Sequence, residues 1–234
     1  MMFYGFDPTF IVLIPAILFT VYAQRKVQSA YATYSRVPTK RQIPGSQVAR
    51  MILDNNGMDH VPIEMISGQL TDNYDPTKDE MHISEGTYNS SSIASVAIAA
   101  HESGHAMQDG ANYGFLKLRI SMVPFVNMVS AISLPVIMVG IAMVAAGQAI
   151  GGTIFNVGVL MFAVVVLFHT VTLPVEFDAS KRALEQLVAL NIVDETEVKG
   201  AQKVLSAAAM TYVAALAVSL VTFIRILMIR GSRN

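Results

Sequence analysis

"ISMVPFVNMVSAISLPVIMVGIAMVAAGQAIGGTIFNVGVLMFAVVVLFHTVTLPV", residues 120–175, runs for 56 positions without an Asp, Glu, Lys or Arg. Its only ionisable side chain is His169. One helix across the hydrocarbon core of a bilayer needs about 20 apolar residues. The run therefore holds two crossings and a turn, and the glycine cluster of "GQAIGGT" (147–153) marks the turn. Two more stretches fit one crossing each: "PTFIVLIPAILFTVYA" (8–23) and "VLSAAAMTYVAALAVSLVTFI" (204–224). The whole chain is 53% hydrophobic and 14% charged, whereas soluble domains carry about a quarter charged residues. The expected fold is a mostly α membrane protein with about four transmembrane helices.

The first crossing reads as an uncleaved anchor. Secretory signals place positive charge before the apolar core. Here Arg25, Lys26, Arg36, Lys40 and Arg41 follow it, and no acid occurs between Pro8 and Leu53. The positive-inside rule keeps that basic flank in the cytoplasm and the N-terminus outside. The last crossing points the other way, because it would carry Arg225, Arg230 and Arg233 out. A net charge of −1 speaks against a nucleic-acid partner. The absence of cysteine excludes disulfides and thiolate chemistry.

Two polar stretches remain. In the first, "GSQVARMILDNNG" (45–57) predicts a helix that Ser46 can cap and Gly57 can end. "VPIEMI" (61–66) and "DEMHIS" (79–84) alternate like short strands, with turn formers between them in "TDNYDPTKDE". "SSSIASVAIAAHESGHAMQDG" (90–110) predicts a buried helix, opened by serines and closed by Gly110. In the second, Pro174 can occupy the first turn of a helix, and "DETE" (194–197) starts another.

The chemistry lies in "AIAAHESGHAMQDG" (97–110). Residues i and i+4 share one helix face, so His101 and His105 can chelate one ion. Glu102 sits beside the first ligand, where its carboxylate can reach water on the metal without ligating it. This is the H-E-x-x-H pattern of zinc peptidases. The apolar flanks argue against a solvated pair of histidines, since buried polar clusters need partners. A catalytic zinc takes three protein ligands and leaves a position open. His60 follows a loop signal and reads as a turn residue. His82 lies in a strand and can face substrate or solvent. His169 lies within a crossing, where ionisable groups are functional candidates, but about 10 Å deeper than Glu176. Glu176 is the carboxylate alternative, at the point where the uncharged run ends.

"HESGH" followed two crossings later by "LPVEFDASKRAL" resembles the YugP-type zinc-dependent membrane peptidases, similar in layout to the HtpX and CAAX-prenyl endopeptidases. In that wider group the third zinc ligand opens an E-[FY]-x-A-D pattern. Glu176, Phe177 and Ala179 match it, so the resemblance implies Glu176 as third ligand. It also covers "DNYDP" and "MHIS", where such enzymes place an edge strand beside the substrate. One position departs: the acid four residues after the ligand is Ser180. Asp178 points away from the ligand face and is expected to pair with Lys181 or Arg182.

The resemblance implies a zincin-like (gluzincin) α+β catalytic domain at the membrane surface. The expected division is an anchor (1–24), the catalytic domain (25–119), a transmembrane hairpin (120–173), a helical segment with the third ligand (174–203), and a last crossing with a basic tail (204–234). The expected activity is hydrolysis of a membrane-proximal polypeptide, with Zn2+ on His101, His105 and Glu176 and with Glu102 as general base. Tyr212 is a candidate oxyanion donor, ahead of Arg225. His169 is a candidate for the wall of a wet cavity, because it lies seven residues from Glu176. The expected setting is a bacterial cell membrane with the site facing the cytoplasm. Two other readings stand beside this one: a zinc-containing membrane scaffold without catalysis, and an intramembrane protease. Charged Glu85, Asp109 and Lys117 around the motif disfavour the second, and intact Glu102 disfavours the first.

Overall fold

The computed structural model describes residues 8–231. The N-terminal end and Arg233, on which topological expectations rest, lie outside the described residues. The chain forms seven α-helices and three strands among the described residues. Four helices are long and apolar enough to cross a membrane: the segment Thr9–Tyr34, Gly114–Ala145, Ile150–Ala189 and Glu195–Arg230. The chain divides into two compact units, one of residues 1–22, 118–172 and 212–234, the other of residues 23–117 and 173–211.

The first unit contains the apolar parts of those helices. Helix α1 spans Ile14–Tyr34, after a short 3-10 turn at Pro8–Leu13. Helices α5 (Gly114–Ala145) and α6 (Ile150–Ala189) form the hairpin, and α7 spans Glu195–Gly231. The hairpin turn falls where glycine announced it, with Gly147 at φ +73°. Side chains of Ile137, Phe155, Val159, Phe162 and Ile226 cluster inside this unit. The hairpin helices touch by backbone at Gly140, where a Cβ would lie 2.5 Å from the amide nitrogen of Phe155. Small residues permit that approach, which packing in an apolar solvent requires. Arg225 donates from Nε to Thr9 Oγ1 (3.1 Å) and lies over the Phe10 ring.

The second unit holds a small mixed sheet and the remaining helices. Helix α2 (Gly45–Asn55) buries Val48, Ala49, Ile52 and Leu53, an i, i+1, i+4, i+5 stripe. Ser46 does not cap it. Pro44 holds the N-cap position, and the Ser46 hydroxyl instead donates to the Tyr88 carbonyl (2.9 Å). Helix α4 (Ile93–Gly110) is capped as expected: Ser92 accepts from the Ser95 amide (3.2 Å).

Strands β1 (Ile63–Ile66), β2 (Asn73–Asp75) and β3 (Glu80–Ser84) assemble in the order β1-β3-β2. β3 is parallel to β1 and antiparallel to β2. Of the two segments over which the resemblance implied an edge strand, "MHIS" is not at an edge, because both sides of β3 are taken, whereas "DNYDP" is. The edges are β1 and β2, and β2 is a three-residue strand within "DNYDP", inside the stretch that the turn formers marked. Asn and Asp are poor strand formers, and the turn signal is real. Asp75 accepts from the amide (2.9 Å) and hydroxyl (2.6 Å) of Thr77.

Pro174 does not begin a helix either. It lies inside α6, which runs unbroken from the hairpin into the polar stretch. That stretch joins the core of the second unit. Ala183, Leu187, Ile192, Val193, Ala201 and Leu205 pack in one cluster with Ile52, Val61, Met81 and Val96. Polar ties add to this: Arg41 donates to the carbonyls of Leu190 (3.1 Å) and Asn191 (3.0 Å).

Candidate metal centre

Helix α4 carries His101, Glu102 and His105, and α6 carries Glu176. The i, i+4 spacing stacks the two imidazoles on one face, edge to face, with ring centroids 4.8 Å apart. Both aim Nε2 at one carboxylate oxygen: Glu176 Oε2 lies 3.3 Å from His101 and 3.6 Å from His105. The three donor atoms fall within 4.8 Å of one another. Glu176 is only 1% exposed, so water cannot hold it. The donor set, two imidazole nitrogens and one buried carboxylate, suits zinc, which takes such mixed ligands and leaves a position open.

The rear nitrogens of both rings are engaged. His101 Nδ1 lies 3.2 Å from Ser180 Oγ, so the residue in the departing position touches a histidine directly. His105 Nδ1 lies 3.1 Å from Gln108 Oε1. Gln108 is fully buried, and its amide donates to the Val175 carbonyl (2.7 Å) and to Asp178 Oδ2 (2.8 Å). Asp178 pairs with Arg182 (2.6 Å), one of the two partners expected. Sequence reading missed Gln108. The available signal was its place at i+3 from His105 and i+7 from His101, on the same helical face.

Glu102 is held by the edge strand, its Oε2 accepting from the Tyr74 amide of β2 (3.1 Å). Burial pushes its carboxyl up to about 7, against the opposing pull of His101 and with a further push from Glu176. The Tyr74 phenol bonds Asp79 (2.7 Å) and Asp109 (3.0 Å), which anchors the strand. A cavity of about 560 Å3 opens beside it, lined by His60, Tyr74, Asp79, Met107, Asp109 and Arg182 among others.

The remaining candidates are elsewhere. His60 contacts Asp79 (3.1 Å), as a turn residue would. His82 bonds Asn73 (3.2 Å) on the neighbouring strand and lies near Glu80 (3.7 Å). His169, edge-on to Phe168, and Tyr212 belong to the first unit. None of these four is in the three-residue cluster.

Residues 9–231 match the model of a family described as "Putative neutral zinc metallopeptidase". The chain belongs to that family. It is also 42% identical over 217 residues to the "Putative membrane protease YugP" of Bacillus subtilis (strain 168), an alignment covering 92% of this chain and 93% of that relative. No solved structure matches it. The family expected from the paired motifs is thus the one found. With four helices long and apolar enough to cross a bilayer, the chain is a mostly helical membrane protein of the zinc peptidase class.

Proposed function

We propose that the chain is a membrane-embedded zinc metalloendopeptidase that hydrolyses membrane-proximal polypeptides, with His101, His105 and Glu176 as ligands and Glu102 as general base. One observation carries this reading: both histidine Nε2 atoms and Glu176 converge on one point beside a carboxylate that ligates nothing. When bound there, zinc supplies a Lewis acid that polarises the scissile carbonyl and acidifies water.

Glu102 accepts a proton from the attacking water and returns it to the leaving amine. Burial raises the Glu102 carboxyl, which favours holding the proton between the two transfers. The Tyr74 amide holds the Glu102 carboxylate in place, leaving its second oxygen for the water. Strand β2, the sheet edge that bonds Glu102, is the place for the substrate backbone. Glu176 remains ionised between two imidazoles, and its burial keeps competing water away.

The proposed setting is a bacterial cell membrane with this centre facing the cytoplasm. The basic flank at 25–41, together with Lys181 and Arg182, supports that orientation. Zinc content and cleavage of casein or a model peptide by the purified protein test the reading together. Stoichiometric zinc with no hydrolysis of any peptide offered would favour the scaffold instead, and absence of zinc would remove both.

A further inference from the structure

Gln108 is buried completely and occupies the contact between α4 and α6. A primary amide has two N–H donors on nitrogen and an acceptor oxygen. Both donors are used here, one on the Val175 carbonyl (2.7 Å) and one on Asp178 Oδ2 (2.8 Å). The opposite amide orientation would set its oxygen against a carbonyl and a carboxylate, so electrostatics excludes it. The oxygen is therefore the atom facing His105 Nδ1 at 3.1 Å. An acceptor there requires Nδ1 to carry the hydrogen, which leaves the lone pair on Nε2, the nitrogen aimed at Glu176.

We propose that Gln108 is a positioning residue for zinc, fixing the tautomer of His105 and locking the α6 turn that presents Glu176. This rests on the reading that His105 and Glu176 hold zinc. One amide reaches both sides of the centre: its oxygen orients one ligand, and its nitrogen holds the carbonyl of the residue preceding another. Asp178 supplies the charge behind it and is itself fixed by Arg182 (2.6 Å), whose guanidinium lies over the Tyr113 ring. The chain Arg182, Asp178, Gln108, His105 thus polarises the imidazole toward the metal. The partner of the other histidine is a hydroxyl, Ser180, with no carboxylate bonded directly to either ring at the rear. The charge reaches the centre through the glutamine.

The test is zinc affinity of the purified full-length protein in detergent, measured by competition with a chromogenic chelator. Gln108→Met keeps the volume and removes every polar atom. It should bind zinc about 10–100-fold more weakly. Gln108→Glu should weaken binding too, because a carboxylate would face Asp178 and the Val175 carbonyl. Adding Asp178→Asn should restore most of the affinity, since the introduced amide can donate to the introduced carboxylate. A role in packing alone gives no such rescue. Wild-type affinity in both single variants, or a double variant no better than Gln108→Glu, overturns the proposal. If Gln108→Met fails to fold, the carboxylate pair decides. His105→Ala separates the two levels: unchanged zinc binding in that variant would defeat the metal-site reading itself. Lost zinc in His105→Ala with full affinity in the Gln108 variants would defeat this inference alone.

Discussion

A methyl group on Gly104 would lie 2.5 Å from the carbonyl oxygen of Ala179 and 3.1 Å from its carbonyl carbon. Helices α4 and α6 therefore meet backbone to backbone at this point. Gly104 immediately precedes His105, and Ala179 follows Glu176 by three positions. The separation of the two helices here sets the distance between the imidazoles and the buried carboxylate. The glycine in "HESGH" is a spacer of zero thickness.

Gly104→Ala should push the helices apart, because the obstruction is backbone and cannot rotate away. Overpacking of this kind costs about 1–3 kcal/mol. The expected outcome is a lower melting midpoint together with weaker zinc binding, read by thermal denaturation and metal analysis. Full zinc occupancy at the wild-type midpoint would show that the helices yield without disturbing the ligands.

Glu102→Gln should keep about one zinc per chain and lose hydrolysis by about 100- to 10,000-fold, the range for a general base. The amide preserves size but accepts no proton. Cleavage at the wild-type rate would transfer the role of base to another group.

Glu176→Ala should lose both zinc and activity, because it removes a ligand rather than a proton acceptor. Metal analysis of the two variants side by side distinguishes the roles. Zinc retained in Glu176→Ala would reassign the third ligand.

Asp194 precedes α7 and caps it, accepting from the amides of Thr196 and Glu197 (2.9 Å each) while pairing with Lys40. Glu197 completes the box by accepting from the Asp194 amide (2.9 Å). The Lys40 ammonium and the Thr196 hydroxyl hold the Asp194 carboxyl below the usual carboxylate range. A depressed folded pKa means that the stabilisation is present above the unfolded value and lost as pH falls. Asp194→Ala should therefore melt earlier than wild type at neutral pH. The gap should close below about pH 3.9, the unfolded Asp value. An equal gap at all pH values would exclude the ionised cap.

Side-specific labelling tests the orientation, and the native chain contains no cysteine to confuse it. A cysteine at Gln186 should be protected from a membrane-impermeant thiol reagent on intact cells, and one at Gln148 in the hairpin turn should react. Gly151 is unsuitable, since its Cβ would lie 2.5 Å from the Val144 amide nitrogen. Labelling at Gln186 but not at Gln148 would invert the orientation.

The features visible in the sequence are those set by local spacing. The 56 uncharged residues announced two crossings, and the four-residue spacing of His101 and His105 put both rings on one helix face. Placing Glu176 beside them needed the family resemblance, because no periodicity links residues across a hairpin. Strand β2 was signalled only by the resemblance over "DNYDP", because "NYD" is held by its partner strand and by Glu102, not by propensity. The same holds for Pro174: an isolated proline reads as a boundary, whereas tertiary packing carries α6 through it. Gln108 escaped because a glutamine in a polar-looking "AMQDG" gives no sign of being fully buried.

Glu176 follows His101 by 75 positions, and the whole hairpin is made between them. At about 5–20 residues per second, the ribosome delivers both histidines several seconds before their carboxylate partner. During that interval the nascent chain holds a two-histidine fragment without its third donor and without the Leu187 side of its core. Completion of the three-residue cluster thus waits on the synthesis of residues 120–175, so a chain that stalls within that run never brings Glu176 to the two histidines.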